Sequence, residues 1–252
     1  MNEQRPYRHK FLNTVVDNLD CKSVCECVVR AIQERSSLRI FFVNALKVHE
    51  VKLNAAVGEA MEASELVLAD GMPVVWASRL FQQPLAERLS GTDMFTVLLH
   101  LAAEQGYKVF FLGATADRLE KMLSEVLKRW PSLRIVGARN GYFNEADDDT
   151  IIKEINQSEA DMLFLGFSSP KKELWTQKHR LALQVPVIQG VGGSFDVLAG
   201  AIPRAPRWMQ AAGLEWSFRL IQEPRRMFKR YMVTNTYFIT QVLRHLYLRM
   251  SP

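Results

Sequence analysis

Residues 66–76 read LVLADGMPVVW, an apolar run broken by one carboxylate, Asp70, and one glycine, Gly71. An unpaired charge is costly to bury, so Asp70 has to serve either structure or chemistry. Pro73 stands where prolines favour the first turn of a helix, and the stretch reads as strand, turn, helix. Asp70 then either caps that helix or acts as a general base at the carboxyl end of a strand, where Gly71 lets another group approach closely.

Other stretches repeat this layout. GTDMF (91–95) puts Gly91, Thr92 and Asp93 at a second helix start, as caps or as ligand contacts. FFLGATADRL (110–119) runs from a strand through Gly113 into a helix, the arrangement that presents backbone N–H groups to a phosphate. It lacks GxGxxG, so a dinucleotide fingerprint is absent. LGFSSPKKELW (165–175) brings Lys171 and Lys172 into the first turn of a helix. Cations are unfavourable at that end of the helix dipole, and the pair predicts a nearby phosphate or carboxylate. GVGGSFDVLAGAIPRAPRWMQ (190–210) frees the backbone at Gly190, Gly192 and Gly193 and flanks a short helix and turn with Asp196 and Arg204. ADDDT (146–150) offers the acidic pair that would hold a divalent metal, but before a helical pattern it reads as capping and a solvated face. No metal site is expected.

The elements that must hold these residues follow from hydrophobic periodicity. Buried strands are expected at 39–43, 66–68, 108–112, 134–136, 161–166 and 186–192, with helices near 23–34, 47–63, 73–80, 92–105, 116–129, 148–157 and 170–183. Strands alternating with helices predict an α/β layered fold with a mainly parallel sheet, whose ligands collect beyond the carboxyl ends of the strands. After residue 203 the strand signals stop. Phe228, Met232, Ile239, Val242, Leu246 and Met250 recur at near-helical spacing among Arg and Lys, either as a membrane-facing stripe or as a helix packed on the core.

Composition narrows the classes. With 48% hydrophobic residues the chain can bury a sizeable core and is not a disordered polymer. No apolar stretch approaches the roughly 18 residues of a membrane span, and the polar start predicts a cytosolic chain without a signal peptide. Cys21, Cys25 and Cys27 read as reduced thiols, not as ligand pairs of a zinc site. From Arg204 onward nine basic residues face only Glu215 and Glu223, a balance of +7, while the preceding 203 residues carry −2. That tail points to an anionic partner: phosphates, a lipid surface or a nucleic acid.

In order and spacing, the segments NALK, ADGMPVVW, SGTDM, GYF, SSPKKE, GVGGSFDVLAGAIPRAP and GLEWSFRLIQEPRR resemble the bacterial WecG/TagA/CpsF glycosyltransferases, from about residue 10 to 231. The resemblance implies a Rossmann-like α/β catalytic domain over 1–203 and a helical appendage over 204–252 that closes over the site at the inner face of the cell membrane. It implies inverting, metal-independent transfer from a UDP-sugar to an undecaprenyl-diphosphate-linked saccharide, for a cell-surface polysaccharide, with no cofactor. Asp70 matches the family's catalytic base and Asn44 its pocket asparagine. Arg219 and Arg226 match two arginines for the leaving diphosphate. Lys229 stands where a third is expected, which keeps the charge and loses the bidentate fork; Arg230 is a substitute one residue on. Phe42 replaces a frequent Thr and Lys172 a frequent Gln, so the donor sugar is left open among N-acetylmannosamine, its uronic acid and glucose. A homo-oligomer that masks the tail is also left open.

Two other classes compete. A nucleotide-dependent oxidoreductase lacks its glycine fingerprint. A non-catalytic membrane or nucleic-acid-binding module would use the basic tail, but the tail aromatics follow helical spacing instead of lining a groove, and no nucleic-acid partner is expected.

Overall fold

The computed structural model describes residues 7–250. A hairpin, β1 (Arg8–Phe11) and β2 (Thr14–Asp17), precedes α1 (Cys21–Glu34), β3 (Leu38–Val43), α2 (Ala45–Leu53), α3 (Ala55–Ala63), β4 (Leu66–Ala69) and α4 (Met72–Leu80). Then come α5 (Gly91–Gln105), β5 (Lys108–Gly113), α6 (Ala116–Arg129), β6 (Arg134–Arg139), α7 (Asp148–Gln157), β7 (Met162–Gly166), α8 (Lys171–Lys178), β8 (Val187–Gly190) and α9 (Ser194–Leu198). Three helices finish the chain: α10 (Arg207–Ala211), α11 (Glu215–Gln222) and α12 (Pro224–Met250).

Strands β3 to β8 form one parallel six-stranded sheet in the order β4-β3-β8-β7-β5-β6. The expected Rossmann-like layered α/β fold is therefore present. Alternation along each strand divides the core between two faces. Ile40, Phe42, Leu68, Phe111 and Phe164 pack under α1, α5, α6 and α9, whereas Phe41, Val43, Val67 and Ala69 pack under α3, α4 and the hairpin. A third cluster joins Phe110, Leu112, Leu163 and Leu165 to Ile151, Ile155 and Trp175 of α7 and α8.

Three departures from the sequence reading have local causes. The hairpin was not expected, because strands of four residues give too short a period to register. The 47–63 pattern splits at Asn54, which ends α2 and also caps α3 by accepting from the Ala56 N–H. The stripe of the last helix divides. Val242 and Phe238 enter the core beside Phe11 and Val48, while Phe228, Met232, Ile239 and Leu243 stay exposed. So α12, about 40 Å long, has one face on the body and another uncovered.

Gly113 shows how tightly the sheet edge is built. It has φ +151°, and a Cβ there would lie 2.5 Å from the Gly166 Cα on the neighbouring strand. Gly113→Ala is expected to cost about 3 kcal/mol or more, read as a fall in the chemical-denaturation midpoint, whereas Gly106→Ala, with no neighbour within 4 Å, pays only its left-handed backbone strain.

Candidate active site

Parallel pairing aligns Val43 with Ala69, and the Asp70 N–H donates to the Val43 carbonyl at 2.8 Å. Asn44 and Asp70 thus leave adjacent strands at the same level. The Asn44 side chain caps α2 by accepting from the Lys47 N–H at 3.0 Å, and its Nδ2 faces Asp70 Oδ2 at 3.4 Å. Asp70 itself caps nothing: the residue before α4 is Gly71, which has φ +118° and offers no side-chain cap. The capping alternative for Asp70 therefore falls away.

The half-buried Asp70 carboxyl is pushed above the ordinary carboxylate range, first by loss of solvent and then by Glu215. Arg219, Arg88 and the Asn44 amide oppose that rise. The connection from α10 crosses the start of α4, where Gly213 (φ +73°) has no room for a Cβ beside Met72. Helix α11 is thereby brought to the same end of the sheet as Asp70.

Beside this pair lies a ring of charges. Arg204 bonds Asp93 at 2.6 Å and approaches Glu215 at 3.5 Å, and Arg88 lies 3.4 Å from both carboxylates. Asp93 accepts from the Ser90 hydroxyl, and Ser90, not Thr92 or Asp93, is the cap of α5. Thr92 meets the Ser194 hydroxyl at 2.9 Å. Arg219 acts on Asp70 from α11, and Arg226, Lys229 and Arg230 lie on the first turns of α12, where Arg226 pairs with Glu223 at 2.7 Å. Loss of solvent, together with Arg219 and Arg226, holds the Arg230 guanidinium below its ordinary value against the pull of Tyr231 and Glu50. Such mutual repulsion among cations is relieved by an anion.

Several expected contacts take other forms. Lys172 finds its anion within the chain, Glu173 at 3.2 Å, and its stem fills the space above Gly190. Lys171 lies over the Phe143 and Phe167 rings and donates to the Gly141 carbonyl. The Val191 and Gly192 N–H groups donate to the Leu165 carbonyl, so they are not open to a diphosphate. Gly193 has open space at its Cα, Gly113 is required by its approach to Gly166, and Asp196 is paired with Arg118 at 2.8 Å. Phe42 is core, packed against Gly91. In the acidic stretch Asn144 and Asp147 form a capping box as expected, but Asp148 is buried, not solvated, and bonds Trp175, Lys178 and His179. The Cys25 thiol is pushed up to about 11 by burial, which keeps it protonated.

A buried ionic network went unforeseen. Lys47, 4% exposed, reaches Glu50 at 2.7 Å and the fully buried Glu173 at 2.8 Å, and also bonds the Ser169 hydroxyl. Ser169 in turn donates to Glu50. Burial opposes ionisation of Glu173, yet Lys172 and Lys47 hold its carboxyl below its usual range. Its sequence signal was Lys47 in NALK, Lys172 and Glu173 in SSPKKE, and Glu50 three residues after NALK, charges overshadowed by other residues of those motifs. Arg88 and Glu215 were likewise missed.

The body residues of the site follow the strand order along one sheet edge: Asp70 after β4, Asn44 after β3, the glycine segment after β8, Lys171 and Lys172 after β7, Gly113 at the end of β5. From β4 to β5 this spans about 19 Å at usual strand spacing. A cleft of about 500 Å³ beside Ala116, Asn140, Tyr142 and Phe143 continues the edge beyond it.

The chain matches the model of the glycosyl transferase WecG/TagA/CpsF family over residues 9–251. It belongs to that family. It is also similar to two N-acetylglucosaminyldiphosphoundecaprenol N-acetyl-β-D-mannosaminyltransferases. That of Bacillus spizizenii is 33% identical over 78% of this chain and 75% of its own length. That of Bacillus subtilis strain 168 is 34% identical over 72% and 70%. As a WecG/TagA/CpsF family glycosyltransferase, the chain carries its half-buried Asp70 and its arginine cluster on the edge where α/β sheets bind ligands.

Two stability effects follow. Because its folded-state pKa is raised, Asp70 contributes stability only at low pH and loses it as pH rises through that value. Asp70→Asn is therefore expected to raise the melting temperature by a few degrees near pH 7, with the gain vanishing in acid. Glu173→Gln leaves two buried lysines with one carboxylate and is expected to cost about 3–5 kcal/mol in equilibrium unfolding.

Proposed function

We propose that this glycosyltransferase moves a sugar from a UDP-sugar to an undecaprenyl-diphosphate-linked saccharide, with inversion at the anomeric carbon, using Asp70 as its general base. The observation that carries the reading is the Asp70 carboxylate: half-buried, free of any capping role, held by Asn44 and facing Arg219 of the tail. A carboxylate raised above its usual range is a stronger base, suited to taking a proton.

In this reaction the acceptor hydroxyl oxygen attacks the anomeric carbon from the face opposite UDP, and its proton passes to Asp70. The bond from that carbon to the β-phosphate oxygen breaks, and UDP leaves with the electron pair. A single displacement inverts the centre. The charge that grows on the diphosphate is met by Arg219, Arg226, Lys229 and Arg230, fixed cations that supply the stabilisation a divalent metal would give elsewhere. Transfer is accordingly metal-independent. The names of the relatives make N-acetylmannosamine the first donor sugar to try and N-acetylglucosaminyl-diphospho-undecaprenol the first acceptor.

No helix among the described residues is long and apolar enough to cross a membrane. The uncovered face of α12, with Phe228, Met232, Ile239 and Leu243 beside Arg225 and Lys229, is suited to lie on the anionic inner leaflet, where each cation adds about 1 kcal/mol. That brings the tail to a lipid-linked acceptor.

The test is UDP release from UDP-N-acetylmannosamine in EDTA, with and without a short-chain polyprenyl-diphosphate N-acetylglucosamine. Acceptor-dependent release that Asp70→Asn lowers by about 10²- to 10⁴-fold supports the reading; full activity in Asp70→Asn, or a requirement for chelatable metal, sinks it.

A further inference from the structure

Glu215 is the one acidic residue in the first turn of α11, and it points into the body instead of solvent, with 21% of its side chain exposed. It lies between two guanidinium groups. Arg88 Nη1 is 3.4 Å from Glu215 Oε2, and Arg204 Nε is 3.5 Å from Glu215 Oε1. Both arginines also hold Asp93, Arg88 at 3.4 Å and Arg204 at 2.6 Å, and Arg204 reaches the Ser90 hydroxyl at 3.4 Å. The four charges close a ring whose strong link is Arg204 to Asp93 and whose looser links run to Glu215. Arg88 and Asp93 belong to the α/β body, Arg204 to the connection, and Glu215 to the appendage.

Helical spacing gives the ring a consequence for the site. Arg219 follows Glu215 by four residues, one turn along the same face of α11. Anchoring Glu215 therefore orients Arg219 as well. Asp70 feels both: it faces Glu215 and Arg219 from α11, Arg88 from the loop before α5, and the Asn44 amide from the end of β3.

We propose that Glu215 is a positioning residue for sugar transfer, fastening the first turn of α11 to Arg88 and Arg204 so that Arg219 stands over Asp70. This rests on the reading of Asp70 as the base. The carboxylate of Glu215 opposes ionisation of Asp70 and the guanidinium of Arg219 favours it, so the two residues of one helix face act on the base with opposite sign. Loss of the Glu215 charge makes Asp70 a weaker base that ionises at lower pH; loss of the Arg219 charge does the reverse.

The experiment uses the full-length protein with UDP-N-acetylmannosamine and the short-chain lipid-linked acceptor, measuring kcat against pH for wild type, Glu215→Gln, Glu215→Asp and Arg219→Gln. The acidic limb is expected to move to lower pH in Glu215→Gln and to higher pH in Arg219→Gln, and to stay in place in Glu215→Asp. Glu215→Gln also lowers kcat by about 10- to 100-fold. Opposite shifts are beyond what general damage to the fold produces. A wild-type kcat in Glu215→Gln overturns the proposal wherever the limb falls, because removing the carboxylate and freeing Arg219 act on Asp70 with opposite sign. Hydrogen exchange supplies an arm independent of turnover: amides of 215–222 are expected to exchange severalfold faster in Glu215→Gln while those of α5 do not, and unchanged exchange in α11 overturns the fastening role. Wild-type activity in Asp70→Asn would instead discard the base, and leave the exchange result to judge the anchor.

Discussion

The parallel register of β3 on β4 is the constraint on which the site depends. It sets Val43 against Ala69, ties the Asp70 N–H to the Val43 carbonyl, and so delivers Asn44 and Asp70 to the same level of the sheet edge. A slip of one residue would turn the alternating side chains of β4 to the opposite face, moving Leu66 and Leu68 from one apolar cluster and Val67 and Ala69 from the other. The register is thus enforced by burial on both faces. The carboxylate is held at its costly position by the core, and the Asn44 amide, Arg219 and Arg88 offset only part of the cost.

Beneath that edge the charges are balanced before any ligand arrives. Lys47, Glu50, Glu173 and Lys172 sum to zero and satisfy one another through short contacts and the Ser169 hydroxyl. Breaking such a buried set is costly although forming it gives little net stability, so its effect is to fix positions. It ties α2, whose N-cap is Asn44, to the first turn of α8 and to the stem of Lys172 above Gly190. The cations of α11 and α12 are less evenly balanced: Arg226 has Glu223, whereas Arg219 and Arg226 both act against Arg230.

The layered fold was legible because long buried strands and amphipathic helices each repeat their period several times. The β1–β2 hairpin, with four residues per strand, does not. Asp70 was legible because a lone carboxylate in an apolar run contradicts burial, and Asn44 by resemblance. What could not be read was which charge meets which. Lys172 at a helix N-terminus correctly implied an anion, but Glu173 next to it is that anion. The glycine segment implied open amides, yet two of them donate to Leu165. Arg88, Glu215 and Glu173 look like ordinary solvated charges in the sequence, because the Lys47–Glu173 and Arg88–Glu215 pairs join residues more than a hundred positions apart and leave no periodic trace.

The last helix joins these threads. A helix that packs all its apolar residues on the body would leave a purely polar outer face, and one made only for a lipid surface would have no core contacts. In α12, Phe238 and Val242 are sealed against Phe11, Phe81 and Val48, while Phe228, Met232, Ile239 and Leu243 are left uncovered. The buried stripe fixes the direction of the helix relative to the sheet. That in turn fixes where its first turns, with Arg226, Lys229 and Arg230, stand relative to Asp70. An uncovered apolar face is unfavourable in water, so the same orientation that completes the cation cluster also creates the surface whose exposure favours binding to an apolar or interfacial partner. Any surface that covers this stripe therefore acts on the cation cluster through one rigid helix.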